Sequence, residues 1–231
     1  MSVNMNEKNT PPAIFTATAG ANELKPNIEQ YKKRITSGSD NQNLSELFDV
    51  CEKECRKVCT PKACYMIIET SIEKDVTAFG DILCVESGGL ARALDGCKRT
   101  VIFGATVGLG LDRLIAKYSV TSPAKAWLCQ GIGALLIEAW CDLLCARISA
   151  GEGLYSKPRY SPGYGDLPIE IQNEVSRLLC LPKRCGITLT DKFIMLPTKS
   201  ITAFMGLSET PFCPVSKCSM CNRKECEYRN D

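Results

Sequence analysis

The sequence contains no histidine in 231 residues. That absence removes the commonest metal ligand and the usual proton shuttle at neutral pH, and it excludes any Ser-His or Cys-His pair built from this chain alone. An excess of charge is missing too, with 28 Lys and Arg against 26 Asp and Glu. A chain without a broad positive field does not hold nucleic acid, and none is expected as a partner. The first thirty residues are polar and lack the apolar h-region of a secretory signal.

Cysteine is abundant instead. Fifteen is a high and odd count, and without a secretory signal disulfide stapling explains it poorly. Cysteines used as small hydrophobes in helices, with a subset binding metal, suit a reducing cytoplasm. The same usage suits an anaerobe, because exposed thiols oxidise in air. The length fits one main domain with appendages.

Residues 1–43 carry Asn, Thr, Ser, Pro and Lys with little periodicity and read as a loosely held arm, in which Ala13-Ile14-Phe15 is an apolar patch able to dock on the body. From Leu44 to Val58 the pattern is helical, with Leu44, Leu47, Phe48, Cys51 and Cys55 on one face. Cys51, Cys55 and Cys59 recur every four residues and read as packing. Strands are expected at 63–68, 81–85 and 100–103, with a short helix opening at Ser87. The run Gly104-Ala105-Thr106-Val107-Gly108-Leu109-Gly110 has neither a third glycine at dinucleotide spacing nor a Walker lysine, and reads as a tight strand-to-helix turn.

The longest helix is expected from Ser122-Pro123 to about Ser149, apolar around nearly its whole circumference and therefore deeply buried. Gln130, Glu138 and Asp142 interrupt it and argue against a membrane span. Glu138, set between Ile137 and Ala139, needs a cation, either a structural arginine or the ammonium or sulfonium of a ligand.

After this helix comes Arg159-Tyr160-Ser161-Pro162-Gly163-Tyr164-Gly165. Pro162 and the two glycines allow backbone amides to approach a bound molecule, the guanidinium can fork onto a carboxylate, and tyrosine can lie on a heterocycle or a cation. An ordinary Pro-Gly turn is the other reading. A helix is expected from Asp166 to Leu179, then two strands, 186–196 and 200–207, joined as a hairpin by Pro197-Thr198-Lys199. The last stretch, 211–231, holds Cys213, Cys218, Cys221 and Cys226, four thiols within fourteen residues, the strongest metal signal in the chain. The spacing suits zinc or an iron-sulfur cluster and does not choose between them.

Glu138 on its helix, the Arg-x-x-Pro-Gly-Tyr loop about twenty residues later, the helix after it and the Thr188-Leu189-Thr190 and Ser200-Ile201-Thr202 strands together resemble the AdoMet-binding activation domain of cobalamin-dependent methionine synthase. The likeness is greatest to stand-alone, cysteine-rich activation-domain proteins of anaerobic bacteria, which share Arg-Tyr-Ser-Pro-Gly-Tyr-Gly-Asp, here Arg159 to Asp166. It spans roughly residues 45–210, with 134–207 its specific part. The resemblance implies an α+β fold, a twisted antiparallel sheet with packed helices over 44–210. It implies S-adenosylmethionine bound by Glu138, Arg159, Ser161, Gly163 and Tyr164, arginine on the carboxylate and glutamate near the positive end. Where the family has an aromatic pair on a later strand this chain departs from it with Phe204-Met205. It also implies a role in a methyltransferase system, in which cob(II)alamin is reduced by one electron and remethylated by AdoMet. With no histidine for the corrin, cobalamin belongs on a partner, a corrinoid-binding methionine synthase or methyltransferase, with an electron donor beside it. The competing reading is a zinc or iron-sulfur redox protein whose working centre is the cysteine tail.

Overall fold

Thr100 to Phe103 forms the middle of the fold. The computed structural model describes residues 12–36 and 42–211, and Cys213, Cys218, Cys221 and Cys226 lie outside them. In chain order the elements are β1 (Ile14–Thr18), α1 (Ile28–Thr36), α2 (Gln42–Val58), β2 (Lys62–Glu73), β3 (Val76–Phe79), β4 (Leu83–Glu86), α3 (Gly88–Leu94) and β5 (Arg99–Thr106). There follow α4 (Leu109–Thr121), α5 (Pro123–Glu152), β6 (Tyr155–Ser156), α6 (Ile171–Leu179), α7 (Leu181–Arg184), β7 (Thr188–Leu189), β8 (Met195–Leu196) and β9 (Ser200–Ser208).

The main sheet runs β4-β3-β2-β5-β9-β6, with β1 beside the first half of β2 and β3 beside its second half. Every pair in it is antiparallel. Strand periodicity divides the core in two. Val101, Phe103 and Ala105 of β5, with Ala203 and Met205 of β9, face α2, α4 and α5. Ile102 and Phe204 point the other way, with Cys64, Met66 and Ile68, onto Leu90 and Leu94 of α3 and Val175, Leu179 and Leu181 of α6 and α7. This is the α+β architecture that the resemblance implied.

α5 starts with Pro123 at a position where no amide donor is needed and stops at Gly153, whose left-handed φ of 64° returns its amide to the Ala150 and Ser149 carbonyls. It is long and apolar enough to cross a membrane by composition, yet its apolar side chains fill the core beside α2, α4 and the sheet. Trp140, fully buried, donates from Nε1 to the Lys62 carbonyl at 3.1 Å and so ties the helix to β2.

Four expectations change. The stretch read as a loose arm supplies β1, in which Ile14 and Phe15 pair with Met66 and Tyr65, and α1, whose Ile28 enters the core. Alternation over only five residues did not reveal that strand. The supposed hairpin of 186–196 with 200–207 does not form. The first run folds back on itself as β7 and β8 around Thr190 to Phe193, where polar Asp191 and Lys192 make the turn. β9 pairs with β5 and β6 instead. The helix after the loop begins at Ile171, because Asp166 to Glu170 is occupied by turns. Finally, α5 is not buried all round. Gln130, Ala134, Glu138 and Asp142, each four residues from the next, form an exposed stripe.

The glycine run after β5 is a tight turn. Gly108, at φ 89°, caps α4, and a Cβ on Gly110 would stand 2.5 Å from the Val58 carbonyl oxygen. That space is taken by the end of α2.

Candidate functional site

The exposed stripe of α5 receives Arg159. Its Nη2 donates to Glu138 Oε2 at 2.7 Å and its Nη1 to Asp142 Oδ1 at 2.5 Å. The arginine side chain is only 18% exposed, whereas Glu138 is 58% and Asp142 72% exposed. The charge is thus half sunk and its acceptors face water. Burial is the largest single influence and works against that charge, but the hydrogen bond to Asp142 and the acidic groups around the guanidinium together outweigh it and hold the pKa above its already high ordinary value. Beneath it lie the thiols of Cys141 and Cys145. Burial raises both, while the arginine pulls the other way. Glu138 was expected to be sunk in apolar surroundings. Four-residue spacing with Ala134 and Asp142 puts it on the solvent side instead, where the partner it needed is Arg159.

The loop that delivers Arg159 rides the edge of β9. β6 pairs with Leu207 and Ser208, the Lys157 amide donates to the Gly206 carbonyl at 2.9 Å, and Tyr160 and Phe204 exchange two amide-carbonyl bonds, each 2.9 Å. Arg159 and Tyr160 are therefore set by sheet geometry although the segment is not a regular strand. The chain then turns. The Tyr164 amide donates to the Ser161 carbonyl (3.1 Å), the Leu167 amide to the Tyr164 carbonyl (3.0 Å) and the Gly163 amide to the Leu167 carbonyl (2.9 Å). Gly163 at φ 86° and Gly165 at φ 56° adopt conformations that side chains rarely take. Leu167 is buried, and Tyr164 stands out at 71% exposure, its ring 6.4 Å from that of Tyr160 and nearly edge-on.

Asp166 closes the loop onto α3. Its carboxylate accepts from Ser87 Oγ at 2.6 Å and from the Gly89 amide at 3.0 Å. These bonds, the one from Ser87 foremost, hold its pKa below the usual carboxylate range. Ser87 Oγ in turn accepts from the Leu90 amide at 3.0 Å, capping α3.

Glu138 and Arg159 are in direct contact, and Ser161, Gly163 and Tyr164 occupy one turn that begins two residues after Arg159. Phe204 is stacked on Phe79 inside the core, centroids 5.0 Å apart, and Met205 is buried on the opposite face. Neither is an exposed aromatic contact. Asp142 and Asp166 were not picked out as site residues. The first was legible as the acid one turn beyond Glu138, whereas nothing local tied Asp166 to Ser87, 79 residues away. Among the described residues no group of three or more Cys, Asp or Glu side chains is arranged to hold a metal. A groove of about 740 Å³ lies apart from these residues, lined by Thr70, Asp81, Lys98, Arg99 and Ser208 among others. We place the candidate site at Arg159 because cation, acids, positive-φ glycines and an exposed ring converge there.

Comparison with known proteins bears on this arrangement. No curated protein matches the sequence. The fold resembles the crystal structure of the MetH reactivation domain bound to AdoHcy, with TM-score 0.65 and 13% identity over 93% of this chain and 85% of that one. At that identity the likeness speaks for the fold. The family model for the activation domain of vitamin B12-dependent methionine synthase matches residues 96–220, more than half of the chain and the part that holds α5, the Arg159 loop and β9. The chain therefore belongs to the family of vitamin B12-dependent methionine synthase activation domains.

Proposed function

We propose that this chain is an AdoMet-binding accessory protein that serves the reductive remethylation of cobalamin carried by a separate methionine synthase or related corrinoid methyltransferase. The observation that carries the reading is the half-buried Arg159, held by two exposed carboxylates directly before a turn with positive-φ glycines and an exposed tyrosine.

The residues fit the ligand. Ion pairs to acids this exposed are worth about 0–1 kcal/mol each. A ligand carboxylate making charge-assisted bonds of about 1.5–3 kcal/mol can therefore replace one of them on the guanidinium fork. The carboxylate so released, at Glu138 or Asp142, is then available to an ammonium or sulfonium group. Ser161 and Gly163 offer backbone at close approach, and Tyr164 offers a ring face to adenine or to the cation. When bound, AdoMet supplies the methyl group for a cobalamin that a donor has reduced by one electron. The chain's own part is to bind and orient. With no histidine it brings no imidazole to the cobalt, which supports placing the corrin on a partner. The MetH domain that shares the fold was crystallised with AdoHcy, which supports the ligand class.

Calorimetry with AdoMet on the wild type and on Arg159→Ala tests the reading. Binding is expected in the first and strongly reduced in the second; equal affinities, or none in either, sink it. The tail thiols Cys213, Cys218, Cys221 and Cys226 are proposed separately as ligands of zinc or of an iron-sulfur cluster, on their spacing. Anaerobic purification followed by iron, sulfide and zinc analysis decides it, and a metal-free protein would remove the proposal.

A further inference from the structure

The turn from Ser161 to Gly165 is fastened at both ends by different parts of the molecule. On its near side Tyr160 is bonded to Phe204 of β9 in both directions. On its far side Asp166 reaches α3 through Ser87 Oγ (2.6 Å) and the Gly89 amide (3.0 Å). Between these fastenings lies the Tyr160 hydroxyl, against two glycines. A Cβ added to Gly89 would overlap it, and a Cβ added to Gly165 would stand 2.5 Å from it. The Asp166 carboxylate is also a neighbour of that phenol, and together with burial it raises the phenol's pKa. The loop and α3 therefore meet through a small, closely fitted contact of one carboxylate, one hydroxyl, one phenol and two glycines.

An exposed glycine-rich turn has many conformations open to it, and ordering such a turn upon binding takes free energy from the ligand's affinity. A contact that orders it beforehand removes that loss. We propose that Asp166 is a positioning residue of the site: by bonding to Ser87 and to the Gly89 amide it holds the Ser161–Gly165 turn, and with it Tyr164, in the ligand-ready conformation while touching no ligand itself. The inference rests on the reading that this turn and Arg159 bind AdoMet. It adds α3 to the elements on which the site depends.

The two ideas are separable by experiment on the full chain. Binding of AdoMet by calorimetry and amide hydrogen exchange of the free protein are measured on wild type, Asp166→Asn, Ser87→Ala, Ser87→Thr and Arg159→Ala. Asp166→Asn and Ser87→Ala are expected to weaken AdoMet about tenfold, the loss of one hydrogen bond to a charged group. Both should also speed exchange at the Gly163 and Leu167 amides, which are bonded within the turn. Ser87→Thr retains the hydroxyl and should restore both. Arg159→Ala should weaken binding about a hundredfold and leave exchange in the turn unchanged. Unaltered exchange at Gly163 and Leu167 in Asp166→Asn overturns the positioning role, whatever happens to affinity. So does faster exchange with unaltered AdoMet affinity. If the wild type binds no AdoMet, the ligand assignment fails by itself, and the exchange data still decide whether Asp166 orders the turn.

Discussion

Arg159 spans two environments, its stem among Cys141 and Cys145 and its fork on Glu138 and Asp142 in solvent. Replacing it with alanine removes the fork but strands no buried acid, since both acceptors are exposed. The protein is thus expected to melt within a few degrees of wild type while AdoMet affinity falls about a hundredfold, the equivalent of roughly 3 kcal/mol of charged hydrogen bonds. Arg159→Lys keeps the charge without the planar fork and should fall between the two. Calorimetry and thermal melts on the same samples check both statements. Asp166 adds a dependence on pH. Its folded pKa is depressed, so the stabilisation it brings is complete above the ordinary carboxylate value and is lost as pH falls through the lower, folded one. An NMR titration should show the Gly89 amide resonance shifting in that acidic window, and Asp166→Asn should abolish the shift. Of these residues, Glu138 and Arg159 stood out in the sequence as an acid in need of a cation and a cation on a turn, and the structure puts them in contact; the set of Glu138, Arg159, Ser161, Gly163 and Tyr164 as ligand contacts came from the resemblance to the family. Asp142 was passed over although it stands one turn beyond Glu138, and Asp166 was misread as a helix start because its partner Ser87 is fixed by folding rather than by sequence distance.

Helices proved easier to read than strands for a physical reason. α2 and α5 announce themselves through apolar periodicity and end signals, whereas β1 and β3 span four or five residues and are defined by their neighbours in the sheet. β9 could not be assigned its partner from sequence because hairpin proximity favours the preceding run, while burial on both faces favours the central β5. Glycines give this level its test. Gly110→Ala would place a Cβ 2.5 Å from a backbone oxygen of α2, which cannot rotate away, and is expected to cost about 1–3 kcal/mol by overpacking. Gly151→Ala sits near the end of α5 with nothing within 4 Å of its Cβ. It should stabilise by about 0.5–1 kcal/mol through helix propensity. Denaturant melts of the two variants should move in opposite directions; an unchanged or stabilised Gly110→Ala would mean that the packing between α2 and α4 is wrong, and a loss in Gly151→Ala would remove the propensity argument.

At the scale of the whole molecule, the cysteines and the site answer to the same layering. Cys51, Cys55, Cys129, Cys141 and Cys145 lie in the helical core on one side of the sheet, and Cys64 and Cys185 on the other, their sulfurs 3.5 Å apart. Burial raises the thiols of Cys51, pushed up to about 12, and Cys59, to about 11, so these two carry little thiolate at neutral pH. Cys84 and Cys180 are the exposed ones among the described residues. Brief alkylation of the native protein, read by mass spectrometry, should mark these two first among the described cysteines. The candidate site residues sit on the outer stripe of α5 and beside the edge of β9 rather than inside either core, and the proposed function requires such an outward placement. An inactive cob(II) methyltransferase mixed with this chain, AdoMet and a one-electron donor should recover its methylcobalamin absorption spectrum. Leaving out the chain, or using Arg159→Ala at an AdoMet concentration that saturates the wild type, should leave the cob(II) spectrum in place. If the donor and AdoMet restore the partner equally well without the chain, the accessory role fails, even if AdoMet binds where Arg159 holds it.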